Sequence, residues 1–171
     1  MKRLFILGSI AAWACLSFGC AGYKLGSVKP SSLADINSIA VPTFLNDTLE
    51  PRISVMLTNQ VIKQMTSDGT YKIGSLETAD AVLRARITTI ERKQARSTRV
   101  DVLRTRELEV VLTIEFVLEH AETGAQLVKG LARGRTDVFL DPNFQLSERQ
   151  AVQDAGKEAA RRLVSSIAEG F

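Results

Sequence analysis

One stretch limits the fold more than any other. Across residues 104–119 apolar and polar side chains alternate: Leu108, Val110, Leu112, Ile114, Phe116 and Leu118 form one row, with Glu107, Glu109, Thr113 and Glu115 opposite. A two-residue period with one apolar row marks a strand that is buried on one side and wet on the other. Residues 81–93 repeat the pattern, with Leu83, Ala85 and Ile87 against Arg84, Arg86 and Thr88. Glu122-Thr123-Gly124 then closes a hairpin into residues 126–139, whose inner row is Val128, Gly130, Ala132, Gly134 and Val138. So many small residues in that row imply that a helix comes close.

The chain supplies two such covers. Ile53, Met56, Leu57, Val61 and Met65 recur at helical spacing, behind cap candidates Asn46-Asp47-Thr48 and a first-turn Pro51. Near the C-terminus, Ala155, Gly156, Ala159 and Ala160 share a side with Val152, Leu163 and Ile167, and Ser147-Glu148-Arg149-Gln150 reads as a capping box. Residues 36–44 read as a first strand that Pro42 ends or holds at an edge, and residues 70–75 as a short strand after the Asp68-Gly69 turn. The order is β-α-β-β-β-β-α. The expected fold class is α+β: a two-layer sandwich with two helices packed on one face of a mostly antiparallel sheet. If the two long strands form a hairpin centred near Ser97, Arg86 falls opposite Glu109.

The N-terminus reads as an address. Lys2 and Arg3 precede an apolar run over residues 4–18, which as a helix reaches only about 22 Å, short of a bilayer core of roughly 30 Å. A cleaved leader over residues 1–19 is therefore expected. Leu16-Ser17-Phe18-Gly19-Cys20 resembles a bacterial lipobox, which makes Cys20 the expected site of lipidation. Both cysteines lie at or before position 20, so the mature body would hold no thiol to oxidise in an exported compartment. Residues 20–35 are read as the lipidated N-terminus and tether, and 36–171 as one domain.

Composition narrows the function. Removing Lys2 and Arg3 lowers the formal charge from +3 to +1, so the pI near 9.0 gives no reason to expect nucleic acid. A single histidine and the lack of any metal-type cluster leave no catalytic constellation in the sequence. A binding or assembly protein without cofactor or metal is expected, not an enzyme.

Cys20-Ala21-Gly22-Tyr23-Lys24-Leu25 after the lipobox resembles the start of the lipopolysaccharide-assembly lipoprotein family, LptE. So does Ser38-Ile39-Ala40-Val41-Pro42-Thr43-Phe44-Leu45-Asn46-Asp47-Thr48 with Pro51 and Leu57-Thr58, then Asp68-Gly69-Thr70-Tyr71 and Ala79-Asp80-Ala81-Val82-Leu83. After about Ile90 the likeness rests on element order alone. The resemblance implies an outer-membrane lipoprotein on the periplasmic face. Its partners would be the β-barrel LptD, whose lumen it plugs, and lipopolysaccharide on its way to the outer leaflet.

A basic cluster fits such a ligand. Within residues 84–106, eight arginines and lysines face only Glu91 and Asp101, a local excess of six positive charges. Arginine forks match phosphate oxygens with paired, charge-assisted hydrogen bonds. Arg84, Arg86, Arg133 and Arg135 are expected to form solvated salt bridges on the sheet. Arg92, Lys93, Arg96 and Arg99 have fewer acids at hand and are the expected contacts to lipopolysaccharide or a partner. A second function from a different class is a lipoprotein that regulates a cell-envelope enzyme such as a peptidoglycan synthase. The fifteen residues after Cys20, 21–35, with a coil span of roughly 20 Å, are short for that reach.

Overall fold

The computed structural model describes residues 29–94, 106–140 and 144–170. The leader, Cys20, Arg96 and Arg99 lie outside the described residues. A 3-10 turn, Ser31–Leu33, leads into β1 (Ser38–Ala40) and β2 (Leu45–Asn46). Helix α1 (Ile53–Asp68) and β3 (Lys72–Ile73) follow. Three long strands, β4 (Ala81–Gln94), β5 (Arg106–His120) and β6 (Gln126–Leu140), form the main sheet, and α2 (Phe144–Glu169) ends the chain. The sheet runs β3-β1-β4-β5-β6, with β2 also on β4. Pairings within β4-β5-β6 are antiparallel, and those of β1, β2 and β3 are parallel. Both helices cover one face, so the architecture is the expected α+β sandwich.

The expected first strand is two strands. Pro42 separates β1 from β2, and the Phe44 amide leaves the ladder to donate to Thr58 Oγ1 of α1 at 3.0 Å. Thr58 in turn donates to the Ser54 carbonyl at 2.7 Å, so this buried hydroxyl is fully used. The short strand expected at residues 70–75 does join the sheet, through Ser38↔Lys72 and Ile39↔Ile73.

The alternating row of β5 is the core: Val110, Leu112, Ile114 and Leu118 are wholly buried and Phe116 nearly so. α2 lies against β6 where the small residues allow it. A Cβ at Gly134 would overlap the Ala155 carbonyl oxygen and come 2.5 Å from the Ala159 amide nitrogen. On the other side of α2, a Cβ at Gly156 would meet Leu57 Cδ2 of α1 at 2.7 Å. Helix α2 and β6 thus meet backbone to backbone at Gly134, while at Gly156 the Leu57 side chain of α1 packs directly on the α2 backbone.

Both helix starts differ from expectation. α1 begins after Arg52, whose φ of 65° is left-handed and which makes no side-chain cap. Asn46 Oδ1 instead accepts from the Thr48 amide and hydroxyl, which shapes the preceding turn. α2 begins at Phe144, so Ser147 lies inside the first turn and is not the cap.

Candidate functional site

The hairpin register sets which basic residues point where. Arg86 pairs with Glu115, six residues along from the Glu109 that a register centred near Ser97 puts opposite it, and Lys93 takes Glu109 instead. Arg84 ion-pairs with Glu119 at 3.0 Å, Arg86 with Asp47 at 2.9 Å, and Arg135 with Glu109 at 2.9 Å. These are the expected surface bridges, though Arg84 and Arg86 use other acids than the sequence suggested. Arg133 has no ion pair among the described residues.

A bulge changes the far end of β4. The ladder slips between Ile87 and Thr89, and one extra residue in a strand turns every later side chain to the opposite face. Arg84 and Arg86 therefore look to solvent, while Arg92 pairs with Val110 on the helix-covered face. There it ion-pairs with Glu50, ahead of α1, and with Glu148, in α2. One guanidinium thus ties the sheet to the entry of both helices. The same bulge brings Lys93 to the open face, where it pairs with Glu91 at 2.7 Å. Its hydrogen bond lowers the Glu91 carboxyl below the usual range, and Glu91 raises the lysine in return.

Arg92 also borders a groove of about 790 Å³ between the N-terminal ends of α1 and α2. Arg52 lines it from the α1 side and Arg149 from the α2 side, with Ile53, Met56 and Val152 supplying apolar wall. Neither Arg52 nor Arg149 has an acidic partner among the described residues. In the sequence Glu148 and Arg149 stand out only as part of a capping box, and nothing marks Glu50 or Arg52. A three-residue cluster such as Glu148-Arg149-Gln150 reads as helix capping until the groove shows what stands across from it.

A second polar node lies at the opposite end of the sheet. Asp80 accepts from the Asn37 amide, the Ser38 hydroxyl and the Ser38 amide, each at 2.9 Å. Those donors hold its carboxyl below the usual range, the Asn37 bond contributing most. This is a strap between the starts of β1 and β4. His120 Nδ1 accepts from the Glu122 amide at 3.3 Å and serves the β5–β6 turn. Among the described residues no three potential metal ligands cluster, and no helix is long and apolar enough to cross a membrane.

A sheet with one bare polar face, two helices on the other and a basic end built on a bulge defines an α+β binding or assembly domain. Its fold recurs in solved structures. A minor lipoprotein of Acinetobacter baumannii is 13% identical with a TM-score of 0.56, covering 79% of this chain and 92% of its own. Lipoprotein B of Nitrosomonas europaea gives 16%, 0.54, 87% and 92% for the same quantities, and PelC of Paraburkholderia phytofirmans 17%, 0.50, 82% and 94%. At these identities the likeness shows the fold alone. The sequence model of the LptE family, described as lipopolysaccharide-assembly, matches residues 36–168. The chain belongs to the LptE family. Curated proteins gave no match.

Proposed function

We propose that this protein is an outer-membrane lipoprotein that assembles with the LptD β-barrel, occupies its lumen and helps lipopolysaccharide reach the outer leaflet. The family match over residues 36–168 carries this reading. Cleavage after Gly19 would leave Cys20 acylated, and two or three chains at about 0.8 kcal/mol per buried methylene give a stable anchor. Residues 20–35 would then hold a rigid domain close to the periplasmic face. The bare face of the long strands carries Arg84, Arg86, Glu115 and Arg133, all exposed, a surface compatible with the polar interior of a large barrel.

Lipopolysaccharide headgroups bear phosphates, and the proposed contacts are Arg92, Lys93, Arg96 and Arg99. Lys93 is 61% exposed and Arg92 34%, with guanidinium N–H groups to spare beyond its two ion pairs. The test is a pull-down of the full chain from solubilised outer membrane. A large β-barrel in the eluate supports the reading, and a cell-wall synthase without a barrel overturns it. The double reversal Arg96→Glu and Arg99→Glu should weaken lipopolysaccharide binding at least tenfold with thermal unfolding unchanged. Undiminished binding removes the ligand role of those residues. Cys20→Ser should release the chain from the membrane.

A further inference from the structure

We infer that the free edge of β6 pairs with the same edge of a second copy of this chain, antiparallel about a two-fold axis through Arg135. The inference rests on strand geometry and is independent of the barrel and lipid reading above.

The two edges of the sheet differ. β3 closes one side with two residues, while β6 ends the other with fifteen. Among the described residues no strand pairs with the outer side of β6. Its ladder with β5 keeps one register from Val128 to Leu140, so no bulge turns the edge away, and the strand holds no proline. A long, regular edge keeps a row of N–H and C=O groups ready for another strand. A two-fold contact uses one surface twice, so the strand has to suit itself.

On the bare face it does so in one register. Residues directly paired across antiparallel strands share a face. An axis at Arg135 therefore sets Leu131 against Phe139 and Arg133 against Asp137, each pair occurring twice. Leu131 is 57% exposed and Phe139 62%, so both are apolar side chains that the single chain leaves in water. Arg133 has no ion pair of its own among the described residues. Asp137 lies directly opposite Glu109 in the β5–β6 ladder, two like charges that Arg135 bridges at 3.5 and 2.9 Å. Arg133 of the partner subunit adds a second cation to that acid. Neighbouring axes satisfy less. At Gly134, Arg133 would face Arg135; at Thr136 it would face Phe139, and Leu131 would run past the end of β6. At Arg133 or Asp137 a charge would meet its own copy. Arg135 also meets its own copy, but each guanidinium is already held by Glu109 and Asp137 of its own chain. On the helix side the pairs are Gly134 with Thr136 and Ala132 with Val138, all compact.

Cysteine crosslinking of the full chain in native membranes tests both the contact and its register. The chain's own cysteines lie at or before position 20, so the parent serves as the blank for a thiol placed in β6. Under a mild oxidant Arg135→Cys should form a disulfide dimer, since directly paired Cβ atoms stand about 4.5–5.5 Å apart. Leu131→Cys and Phe139→Cys should each stay monomeric alone and crosslink when co-expressed. Asp137→Arg in both members of that mixed pair should cut the yield at least fivefold, and adding Arg133→Asp should restore it. No dimer from Arg135→Cys and none from the mixed pair overturns the inference. Equal yields from the single Leu131 and Phe139 variants would mark random collision and overturn it too. A different polypeptide crosslinked at position 135, with no homodimer, gives the edge to a foreign strand and overturns the second copy. Barrel capture is read on the same membranes. Capture without the disulfide overturns the dimer and leaves the plug, and the disulfide without capture does the reverse.

Discussion

Gly134 of β6 lies directly beneath Ala155 of α2, so close that a Cβ on the glycine would overlap the alanine carbonyl oxygen. The obstacle is helix backbone, which cannot rotate away as a side chain could. Gly134→Ala should therefore destabilise the domain by at least the 1–3 kcal/mol typical of overpacking, seen as a lower urea midpoint. An unchanged midpoint would mean that α2 can lift off the sheet without cost.

Thr58 carries the break at Pro42. Its Oγ1 accepts from the Phe44 amide at 3.0 Å in a buried setting. Thr58→Val keeps the shape and removes the acceptor, leaving a buried N–H unpaired at a cost of about 1–3 kcal/mol. Chemical denaturation measures it, and a loss below a few tenths of a kcal/mol would show that water reaches Phe44.

Tyr71 predicts the opposite sign. The residue is 4% exposed with the Lys29 ammonium 5.3 Å from its ring centroid, while its hydroxyl is buried without a hydrogen-bond partner among the described residues. Tyr71→Phe keeps the ring and removes the unsatisfied group, so stability should rise by about 1 kcal/mol. A fall in the melting temperature would contradict this.

Asp80 gives a pH dependence. Hydrogen bonds from Asn37 and Ser38 lower its carboxyl pKa in the folded protein. A depressed carboxyl stabilises fully above its unfolded value near 3.9 and loses that contribution as pH falls through the folded value. The melting-temperature gap between the parent and Asp80→Asn should therefore be widest near neutral pH and narrow in acid. A gap independent of pH would exclude ionisation as the cause.

Arg92 joins β4 to Glu50 and Glu148. Arg92→Gln leaves those two acids facing each other across a partly wet groove, and should cost about 1 kcal/mol with a clear dependence on salt. Adding Glu148→Gln should recover part of the loss. A double variant less stable than the single one would show that Glu148 has another, uncharged role.

The strands, their buried sides and the element order were legible because each rests on a short-range pattern. Period two in Leu108 to Leu118 and helical spacing in Ile53 to Met65 need no knowledge of distant residues. Register was not legible. Sliding β5 by six residues against β4 keeps every apolar side chain on the same face, so Arg86 opposite Glu109 and Arg86 opposite Glu115 satisfy the alternation equally.

By itself, the sequence determined a half-buried antiparallel sheet, two helices to cover it and small residues where one helix touches β6. Burial of alternating side chains leaves few other folds. Only the tertiary structure decided where the cations go. The bulge between Ile87 and Thr89 turns Arg92 from the solvent side to the helix side. The approach of α1 to α2 across Gly156 then brings Arg52 and Arg149 to one groove. Both depend on how layers pack over distances that no local pattern encodes.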